Sequence, residues 1–228
     1  MPRGGRILLR GLFVTGTDTG VGKTVVSAAL FHRYRTREPL RYWKPIQTGT
    51  KQDDDTAEIR RLTTTAGVEI LDDGVRLPHP VSPHLAASLA GQTIDVPALT
   101  RMAEGYPSTD RWIVEGAGGV LVPINQSELM ADLIGQLKLA VLVVSRSSLG
   151  TINHTLLTLE GLRSRSLVVA GVVMVGDVNA HNRAAVERYG HVPVIADMPH
   201  FADLSDGALA EWAPAELDPG ERLADWLQ

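Results

Sequence analysis

A glycine-rich segment that could bind phosphate lies near the amino terminus. It reads Gly16-Thr17-Asp18-Thr19-Gly20-Val21-Gly22-Lys23-Thr24 and precedes a stretch rich in Ala, Val and Leu that is typical of a helix. Gly20 and Gly22 permit backbone conformations that turn successive N–H groups inward as an anion cradle, and a helix start adds its dipole. The segment predicts a nucleotide-binding P-loop. The residues expected to contact the nucleotide are Asp18, Thr19, Gly20, Val21, Gly22, Lys23 and Thr24.

Two side chains of this segment could act on the phosphates. Lys23 could reach the β- and γ-phosphates, and the Thr24 hydroxyl could ligate Mg²⁺. The common motif has its first glycine at the position of Thr17, whereas this chain has Gly16, so the loop is one residue longer. A chance Gly-Lys-Thr at a helix start is the alternative, and the strand-then-helix context argues against it.

A carboxylate that could support a metal follows an apolar run in the middle of the chain. Glu115 comes after the predicted strand 112–114 and before the small residues 116–119. The end of a parallel strand lies at the same sheet edge as the P-loop, so Glu115 could hold Mg²⁺ directly or through water. The alternative is a solvent-exposed glutamate that terminates the strand.

The acidic run 53–55 allows two interpretations. Asp53, Asp54 and Asp55 precede Thr56, and such residues cap helices and favour the positive end of the helix dipole. Alternatively, one of them ligates the metal. The residues themselves leave these interpretations about equal.

A second lysine is placed unusually, in Tyr42-Trp43-Lys44-Pro45-Ile46-Gln47-Thr48-Gly49. A lysine next to proline and among apolar residues is costly to bury unless it is paired with anionic groups. A surface lysine with a buried stem is the commoner case. Beside a triphosphate, however, Lys44 would stabilise a transferred phosphoryl group, and we favour this interpretation.

Apolar runs with helical segments between them predict the elements that position these residues. Continuous apolar runs are typical of parallel strands covered on both faces, and their alternation with helices favours a doubly wound α/β sheet. We expect a single domain over residues 1–228 with helices on both faces. The predicted strands are 7–14, 112–114, 139–144, 167–175, 192–195 and a short strand ending at Lys44. The predicted helices are 24–35, 56–65, 131–137, 151–163 and 183–189.

Composition restricts the possible functions. The 228-residue chain has a net charge of −4, and its basic residues are not clustered as a nucleic-acid surface requires. It has no cysteine, which excludes disulfides and thiolate catalysis and is compatible with a reducing cytoplasm. The apolar runs are too short to span a membrane. We therefore expect a soluble cytoplasmic protein without nucleic-acid or membrane partners.

Several blocks together resemble the dethiobiotin synthetase family, over roughly residues 7–200. The P-loop alone indicates only a large superfamily, whereas the Lys-Pro block and the Leu-Gly-x-Ile-Asn-His block are far more specific. The matching blocks are Phe13-Val14-Thr15-Gly16-Thr17-Asp18-Thr19, Val21-Gly22-Lys23-Thr24, Tyr42-Trp43-Lys44-Pro45-Ile46-Gln47-Thr48-Gly49, Asp55-Thr56, Ser82-Pro83-His84, Val114-Glu115-Gly116-Ala117-Gly118-Gly119 and Leu149-Gly150-Thr151-Ile152-Asn153-His154.

The resemblance implies an ATP-dependent ring closure. In that family 7,8-diaminopelargonate reacts with CO₂ to give a carbamate, the carbamate attacks the γ-phosphate, and the second amine then displaces phosphate. It further implies that Lys23 and Lys44 stabilise the carbamate and the phosphoryl group, and that Thr24, Asp55 and Glu115 hold Mg²⁺. It also implies that Thr48 lies near the carbamate and that Ser82 and Pro83 border the diamine, so that all three bind the substrate.

The resemblance also implies a homodimer. In the family the loop that corresponds to Gly150, Thr151 and Asn153 reaches the substrate carboxylate across a dimer interface. From the residues alone we expect only that Gly150 or Thr151 caps a helix, whose free N–H groups bind carboxylates well.

Two positions depart from the family pattern. Gly20 stands where some relatives carry an acidic residue. Relatives often have an asparagine that reads the adenine ring, but the matching positions here are Val175 and Gly176, and Asn179 comes later. We therefore expect backbone groups near residues 199–201 to contact the base, and a looser discrimination among nucleoside triphosphates.

Three other functions agree less well with the sequence. A regulatory ATPase of the partitioning or septum-positioning type usually carries an extra lysine early in the P-loop, and Thr17-Asp18-Thr19 offers none. Its basic or amphipathic surface is also not matched by the acidic segment 211–228. A cofactor-amidating ligase would need a nucleophilic cysteine. A purely nucleotide-binding module would leave Lys44 and Glu115 without a role.

Overall fold

The computed structural model describes residues 9–34, 40–64, 70–107 and 109–227. Strands and helices alternate along the chain. The strands are β1 (Arg10–Gly16), β2 (Leu40–Trp43), β3 (Ile46–Thr48), β4 (Ile70–Leu71), β5 (Val75–Leu77), β6 (Arg111–Gly119), β7 (Ala140–Arg146), β8 (Val169–Val175) and β9 (Val194–Met198). The helices are α1 (Lys23–Tyr34), α2 (Asp55–Thr63), α3 (Pro83–Leu89), α4 (Val96–Glu104), α5 (Met130–Leu137), α6 (Thr151–Arg163), α7 (Ala180–Gly190), α8 (Asp206–Glu216) and α9 (Ala224–Leu227).

A seven-stranded sheet forms the centre of the molecule, in the order β4-β2-β6-β1-β7-β8-β9. Its neighbouring strands all pair in parallel. Strand β1 lies between β6 and β7, so the P-loop that follows it emerges at the middle of the sheet's carboxyl edge. The predicted doubly wound α/β fold is confirmed.

Two apolar layers cover the two faces of the sheet. Leu12 and Val14 of β1 pack with α1, α2, α8 and α9 on one face, whereas Phe13 belongs to the layer under α3 to α7 on the other. Alternate residues of β1 thus enter different cores, which explains why the strand is apolar throughout. The carboxyl-terminal helices α8 and α9 cover the core, with Trp212 and Trp226 packed against it.

The predicted bounds differ from the observed ones at several strands. Strand β1 begins at Arg10, and the predicted residues 7 and 8 lie outside the described ranges. Strand β8 begins at Val169, and β9 spans Val194–Met198 rather than 192–195. Strand β6 continues to Gly119, so Glu115 lies inside this strand and not after it. The small residues after Glu115, which indicated a strand end, instead continue pairing, since Gly119 is opposite Gly16 of β1.

The sequence pattern did not predict several elements, most of which are short. Strands β3 and β5 form a second, two-stranded parallel sheet beside the main one. Gly74 precedes β5 with φ +140°, and a Cβ there would lie 2.6 Å from the Pro45 carbonyl oxygen, so glycine allows this close approach. Helices α3, α4, α8 and α9 and strand β4 were also not predicted. Within the ranges given above, no helix combines the length and apolar character needed to cross a membrane.

Candidate active site

The P-loop connects β1 to α1 and curls around the lysine that ends it. Gly20 and Gly22 have φ angles of +69° and +98°, as predicted for an inward-turned loop. The Lys23 ammonium folds back and donates to the Asp18 carbonyl at 3.0 Å. A Cβ at Gly16 would lie 2.8 Å from that carbonyl oxygen and 3.1 Å from Lys23 Nζ. Glycine at position 16, one residue before the usual motif position, therefore has a steric reason, because a side chain there would crowd Lys23.

Four polar side chains converge beneath the P-loop. The Thr24 hydroxyl lies 2.8 Å from Asp55 Oδ1 and 3.0 Å from Glu115 Oε1. The Lys44 ammonium is 2.5 Å from Asp55 Oδ2 and 2.8 Å from Glu115 Oε1. Glu115 is fully buried, and Lys44 is 3% exposed. The alternative interpretations, an exposed glutamate at position 115 and a surface lysine at position 44, are therefore wrong.

The structure confirms the capping interpretation of the acidic run 53–55 for Asp54 and places Asp55 differently. Asp54 is the N-cap of α2 and accepts from the Thr56 and Ala57 amides, whereas the next side chain, Asp55, turns towards Thr24 and Lys44. Consecutive residues at a helix start point in different directions, so one can cap while its neighbour enters the site.

The charges of the cluster alter each other's pKa values. Burial alone would lower the pKa of Lys44, but the Glu115 and Asp55 carboxylates outweigh it and raise that pKa. Burial would raise the pKa of Asp55, but the Lys44 ammonium holds it below its usual range. Burial, reinforced by the charge of Lys44, lowers the pKa of Lys23. Two ammonium groups thus act on one another beneath a loop of inward-facing amides, where an anionic ligand would relieve their repulsion.

The second oxygen of Glu115 has two further partners that sequence reasoning missed. Ser27 of α1 and Tyr42 of β2 each donate to Glu115 Oε2 at 3.0 Å. Burial and the neighbouring Glu115 raise the pKa of Tyr42 well above its ordinary value, so its hydroxyl stays protonated as a donor. Serine in a helix and tyrosine in a strand are ordinary choices, and the pattern contained no signal for this contact.

A cleft of about 790 Å³ opens above the cluster. Lys23, Lys44 and Glu115 line one part of it, and the predicted diamine residues line another. Thr48 ends β3, Ser82 is the N-cap of α3 without a side-chain capping bond, and Pro83 begins that helix. The fold therefore brings these predicted substrate residues to the same cleft as the phosphate-binding residues. The three substrate residues on this wall are Thr48, Ser82 and Pro83.

A second cleft, of about 560 Å³, lies on the other side of the P-loop, where β8 and β9 end. Gly20 and Gly22 form one wall, and residues 199–201 form another. Gly176 has φ +127°, and a Cβ there would lie 2.5 Å from Ser147 Oγ. Asn179 lines the cleft, but its side-chain oxygen caps α7 by accepting from the Asn182 amide. This cleft has room for a nucleoside next to the phosphate loop.

The start of α6 lies apart from the substrate wall of this chain. Gly150 is the N-cap with φ +94°, in agreement with the predicted capping, and Asn153 in the first turn is exposed. Thr151 borders a recess of about 90 Å³ together with Asp18 and Arg146. Within one copy, Gly150, Thr151 and Asn153 are therefore not brought to the cleft that Thr48 lines. Arg146, which lies 3.6 Å from Asp18 Oδ2, was missed, although it stands at a strand's carboxyl end.

Comparison with known proteins identifies the family of this chain. Residues 10–208 match the model of the AAA_26 family, described as an AAA domain. The chain is 46% identical to the ATP-dependent dethiobiotin synthetase BioD of Paramagnetospirillum magneticum, over 93% of this chain and 100% of that protein. It is 41% identical to the protein of the same name from Brucella ovis, over 85% of this chain and 88% of that protein.

Solved structures agree on the fold alone. A ParA family ATPase from Chlorobium tepidum superposes with a TM-score of 0.53 at 11% identity, covering 96% of this chain and 98% of that one. Such low identity shows a shared architecture and does not extend to activity. The similarity to the synthetases covers the P-loop, the Lys44 segment and the strand of Glu115 together. The chain belongs to the ATP-dependent dethiobiotin synthetase family.

Proposed function

We propose that this protein closes the ureido ring of dethiobiotin from 7,8-diaminopelargonate, CO₂ and ATP, releasing ADP and phosphate. The observation that carries the proposal is the meeting of Lys44, Asp55 and Glu115 with the P-loop residues Lys23 and Thr24 in one cleft. A simple nucleotide-binding site would not need a second, fully enclosed ammonium group that faces the same cleft.

The phosphate end of the site is formed by residues 18–24. The loop amides, including those of Thr19, Gly20, Val21 and Gly22, would hold the β- and γ-phosphates, and Lys23 would leave the Asp18 carbonyl to bind them. Because burial lowers the pKa of Lys23, a bound triphosphate would restore a favourable environment for its charge.

Lys44 is proposed to stabilise the carbamate and the transferred phosphoryl group. The carbamate oxygen attacks the γ-phosphorus, the bond to the ADP oxygen breaks, and the second amine then attacks the carbamate carbon and releases phosphate. A buried ammonium that is already oriented by two carboxylates needs little rearrangement to stabilise negative charge that develops in these steps.

The oxygen atoms of Thr24, Asp55 and Glu115 suit Mg²⁺. They are a hydroxyl and two carboxylates, the hard donors that this ion prefers, and the hydroxyl already lies within hydrogen-bond distance of both carboxylates. When bound, Mg²⁺ would neutralise charge on the phosphate oxygens. The protein's contribution is to hold the three oxygens at one point, with Lys44 as their neighbouring counter-charge.

The substrate is proposed to lie between two copies of the chain. Thr48, Ser82 and Pro83 would border the diamine, and the α6 start of a second copy, with Gly150, Thr151 and Asn153, would bind its carboxylate. In one copy Thr48, Ser82 and Pro83 line the large cleft, whereas Thr151 borders a separate recess, which supports a site completed by a homodimer. Leu149 is fully exposed and Leu157 is 58% exposed on this side, as expected of a surface that a second copy covers.

One assay tests the proposed reaction. The purified protein is incubated with diaminopelargonate, bicarbonate, Mg²⁺ and ATP, and dethiobiotin is detected by mass. Product should form only when all four are present, and ¹³C-bicarbonate should add one mass unit. ATP hydrolysis that is independent of the diamine, without product, would instead indicate a regulatory ATPase and would contradict the proposal.

A further inference from the structure

The two oxygens of Glu115 have different surroundings. Oε1 faces the cleft and contacts Thr24 and Lys44, the groups that act on the ligands. Oε2 points towards the core and accepts from Ser27 and Tyr42 at 3.0 Å each. Glu115, Ser27 and Tyr42 are all fully buried, so water does not compete for these contacts.

We propose that Ser27 and Tyr42 are positioning residues, which hold Glu115 Oε2 so that Oε1 is presented to the metal and to Lys44. A carboxylate with one anchored oxygen cannot rotate about its terminal bond, and only the other oxygen remains available. Anchoring hydroxyl groups of this kind orient metal ligands and tune the affinity of the metal. The inference rests on the proposed role of Glu115 at Mg²⁺.

The helix geometry explains how α1 supplies both kinds of contact. Thr24 and Ser27 are three residues apart and therefore share one face of the helix. Thr24 approaches Oε1 and Ser27 donates to Oε2, so one turn of α1 holds both oxygens of Glu115. The turn that ends the P-loop thus fixes the carboxylate relative to the phosphate-binding amides.

The hydroxyl of Tyr42 lies in a mainly apolar part of the core. The core layer that contains Tyr42 also contains Leu40 of β2 and Val26 and Ala28 of α1, which are buried apolar side chains. A phenylalanine would fill the same space, and a buried hydroxyl is costly unless it is bonded. The Tyr42 hydroxyl donates a hydrogen bond to Glu115. This contact with the site explains why β2 has a polar tyrosine at this buried position.

The test measures metal affinity and stability separately. Tyr42→Phe and Ser27→Ala each remove one donor to Oε2, and Tyr34→Phe is the matched control. Tyr34 is also buried in this region of the core, but its hydroxyl donates to Asp218 Oδ2 at 2.5 Å, away from the cleft. The probe is Mn²⁺, whose free concentration is followed by electron paramagnetic resonance with the protein and one equivalent of a non-hydrolysable ATP analogue.

We expect Tyr42→Phe and Ser27→Ala to weaken Mn²⁺ binding by about tenfold each. Because the two hydroxyls anchor one atom, the double variant should lose less than the product of the single effects. Tyr34→Phe should lower Tm but leave the Mn²⁺ affinity within about twofold of the parent protein. In steady-state assays the Mg²⁺ concentration needed for half-maximal rate should rise in the first two variants, while KM for ATP stays constant.

Glu115→Gln separates failure of this inference from failure of the proposed function. If Glu115→Gln weakens Mn²⁺ binding but Tyr42→Phe and Ser27→Ala bind it as the parent does, the positioning role is overturned. If Glu115→Gln itself leaves the Mn²⁺ affinity unchanged, the proposed metal role of Glu115 fails, and the positioning role fails with it. Should Ser27→Ala not fold, the comparison of Tyr42→Phe with Tyr34→Phe decides alone.

Discussion

At the scale of single residues, Lys44 has two proposed functions, one in stability and one in catalysis. Its ammonium balances Asp55 and Glu115, and it also faces the cleft in which the phosphoryl group would be transferred. A buried charge that loses its partner is strongly destabilising. A loss of activity on removing Lys44 is therefore informative only when stability is measured as well.

We predict that Lys44→Gln lowers kcat at least about a hundredfold, since it removes a preoriented positive charge. It should also lower the free energy of unfolding by about 3 kcal/mol, because two carboxylates then share a buried site without a counter-charge. The measurements are dethiobiotin production and urea denaturation. Lys51→Gln, at an exposed lysine of the neighbouring loop, is the control and should change neither.

The double variant Lys44→Gln/Glu115→Gln separates the two effects. It removes an ammonium and a carboxylate together, so we expect it to regain part of the lost stability and none of the activity. Undiminished turnover in Lys44→Gln would remove this lysine from the mechanism.

Base selectivity depends on the residues that end β8. We predict similar rates with ATP, CTP and GTP, because positions 175 and 176 lack a side chain that could read the base. Introducing an asparagine by Gly176→Asn should not create a preference for ATP, since φ is +127° and the new Cβ would meet Ser147 Oγ. It should instead cost about 1–3 kcal/mol in unfolding free energy. Strict ATP dependence of the parent protein would contradict this prediction.

Gly207→Asn provides the comparison for that substitution. Gly207 lies in the first turn of α8, and a Cβ there would meet no atom within 4 Å. This variant should keep the stability and the nucleotide profile of the parent protein.

At the scale of elements, the site depends on where helices begin. Thr24 lies in the first turn of α1, and its hydroxyl reaches Glu115 of β6. Asp55 is the first residue of α2, and its carboxylate reaches Lys44, which follows β2. The position of Asp55 is therefore set by the cap of its helix. Asp54 provides that cap by accepting two backbone amides.

We predict that Asp54→Ala weakens catalysis through Asp55, although Asp54 itself does not line the cleft. Loss of the cap should cost about 1 kcal/mol of stability and let the first turn of α2 fray, which displaces the Asp55 carboxylate. Asp95→Ala is the control, because Asp95 also caps a helix, α4, by accepting one backbone amide at an exposed site. The prediction is supported if the two variants have similar unfolding free energies and only Asp54→Ala lowers kcat. Equal kcat values in the two variants would contradict it.

At the scale of the whole molecule, cavities on several sides of the P-loop are lined by the described residues. The cleft of about 790 Å³ holds the charged cluster, the cleft of about 560 Å³ lies beside the ends of β8 and β9, and the recess of about 90 Å³ borders α6. On the proposed function, a nucleoside and its phosphates would lie side by side at one sheet edge, as ligands do in parallel α/β sheets.

A complementation experiment tests whether two copies complete the site. Lys44→Gln and Asn153→Asp should each be inactive or strongly impaired alone, the second because it repels the substrate carboxylate while remaining compatible with a helix start. Mixed under conditions that exchange subunits, they should regain about a quarter of parent activity, since half of the dimers are mixed and each has one intact site. No recovery in dimers shown to have exchanged would place Asn153 outside a shared site.

Particular residues show how far sequence reasoning reaches. Gly20, Gly22 and Lys23 follow a motif whose spacing is dictated by local backbone geometry, and the strands of the main sheet follow from runs that are apolar on both faces. The short strands β3 and β5 and helix α3 escaped detection, because few residues form each of them and neighbouring prolines conceal the pattern.

The sequence by itself determined the P-loop, the parallel α/β class and the candidate acids and bases, because these depend on residue type and short-range spacing. Only the tertiary structure decided that Glu115 lies inside its strand, that Lys44 is enclosed by two carboxylates, and that Asp54 caps α2 while Asp55, the residue that the resemblance selects, contacts Thr24 and Lys44. It also revealed Ser27 and Tyr42 as partners of Glu115. These contacts join residues from separate strands and helices, and their distances are set by the packing of the elements rather than by order along the chain.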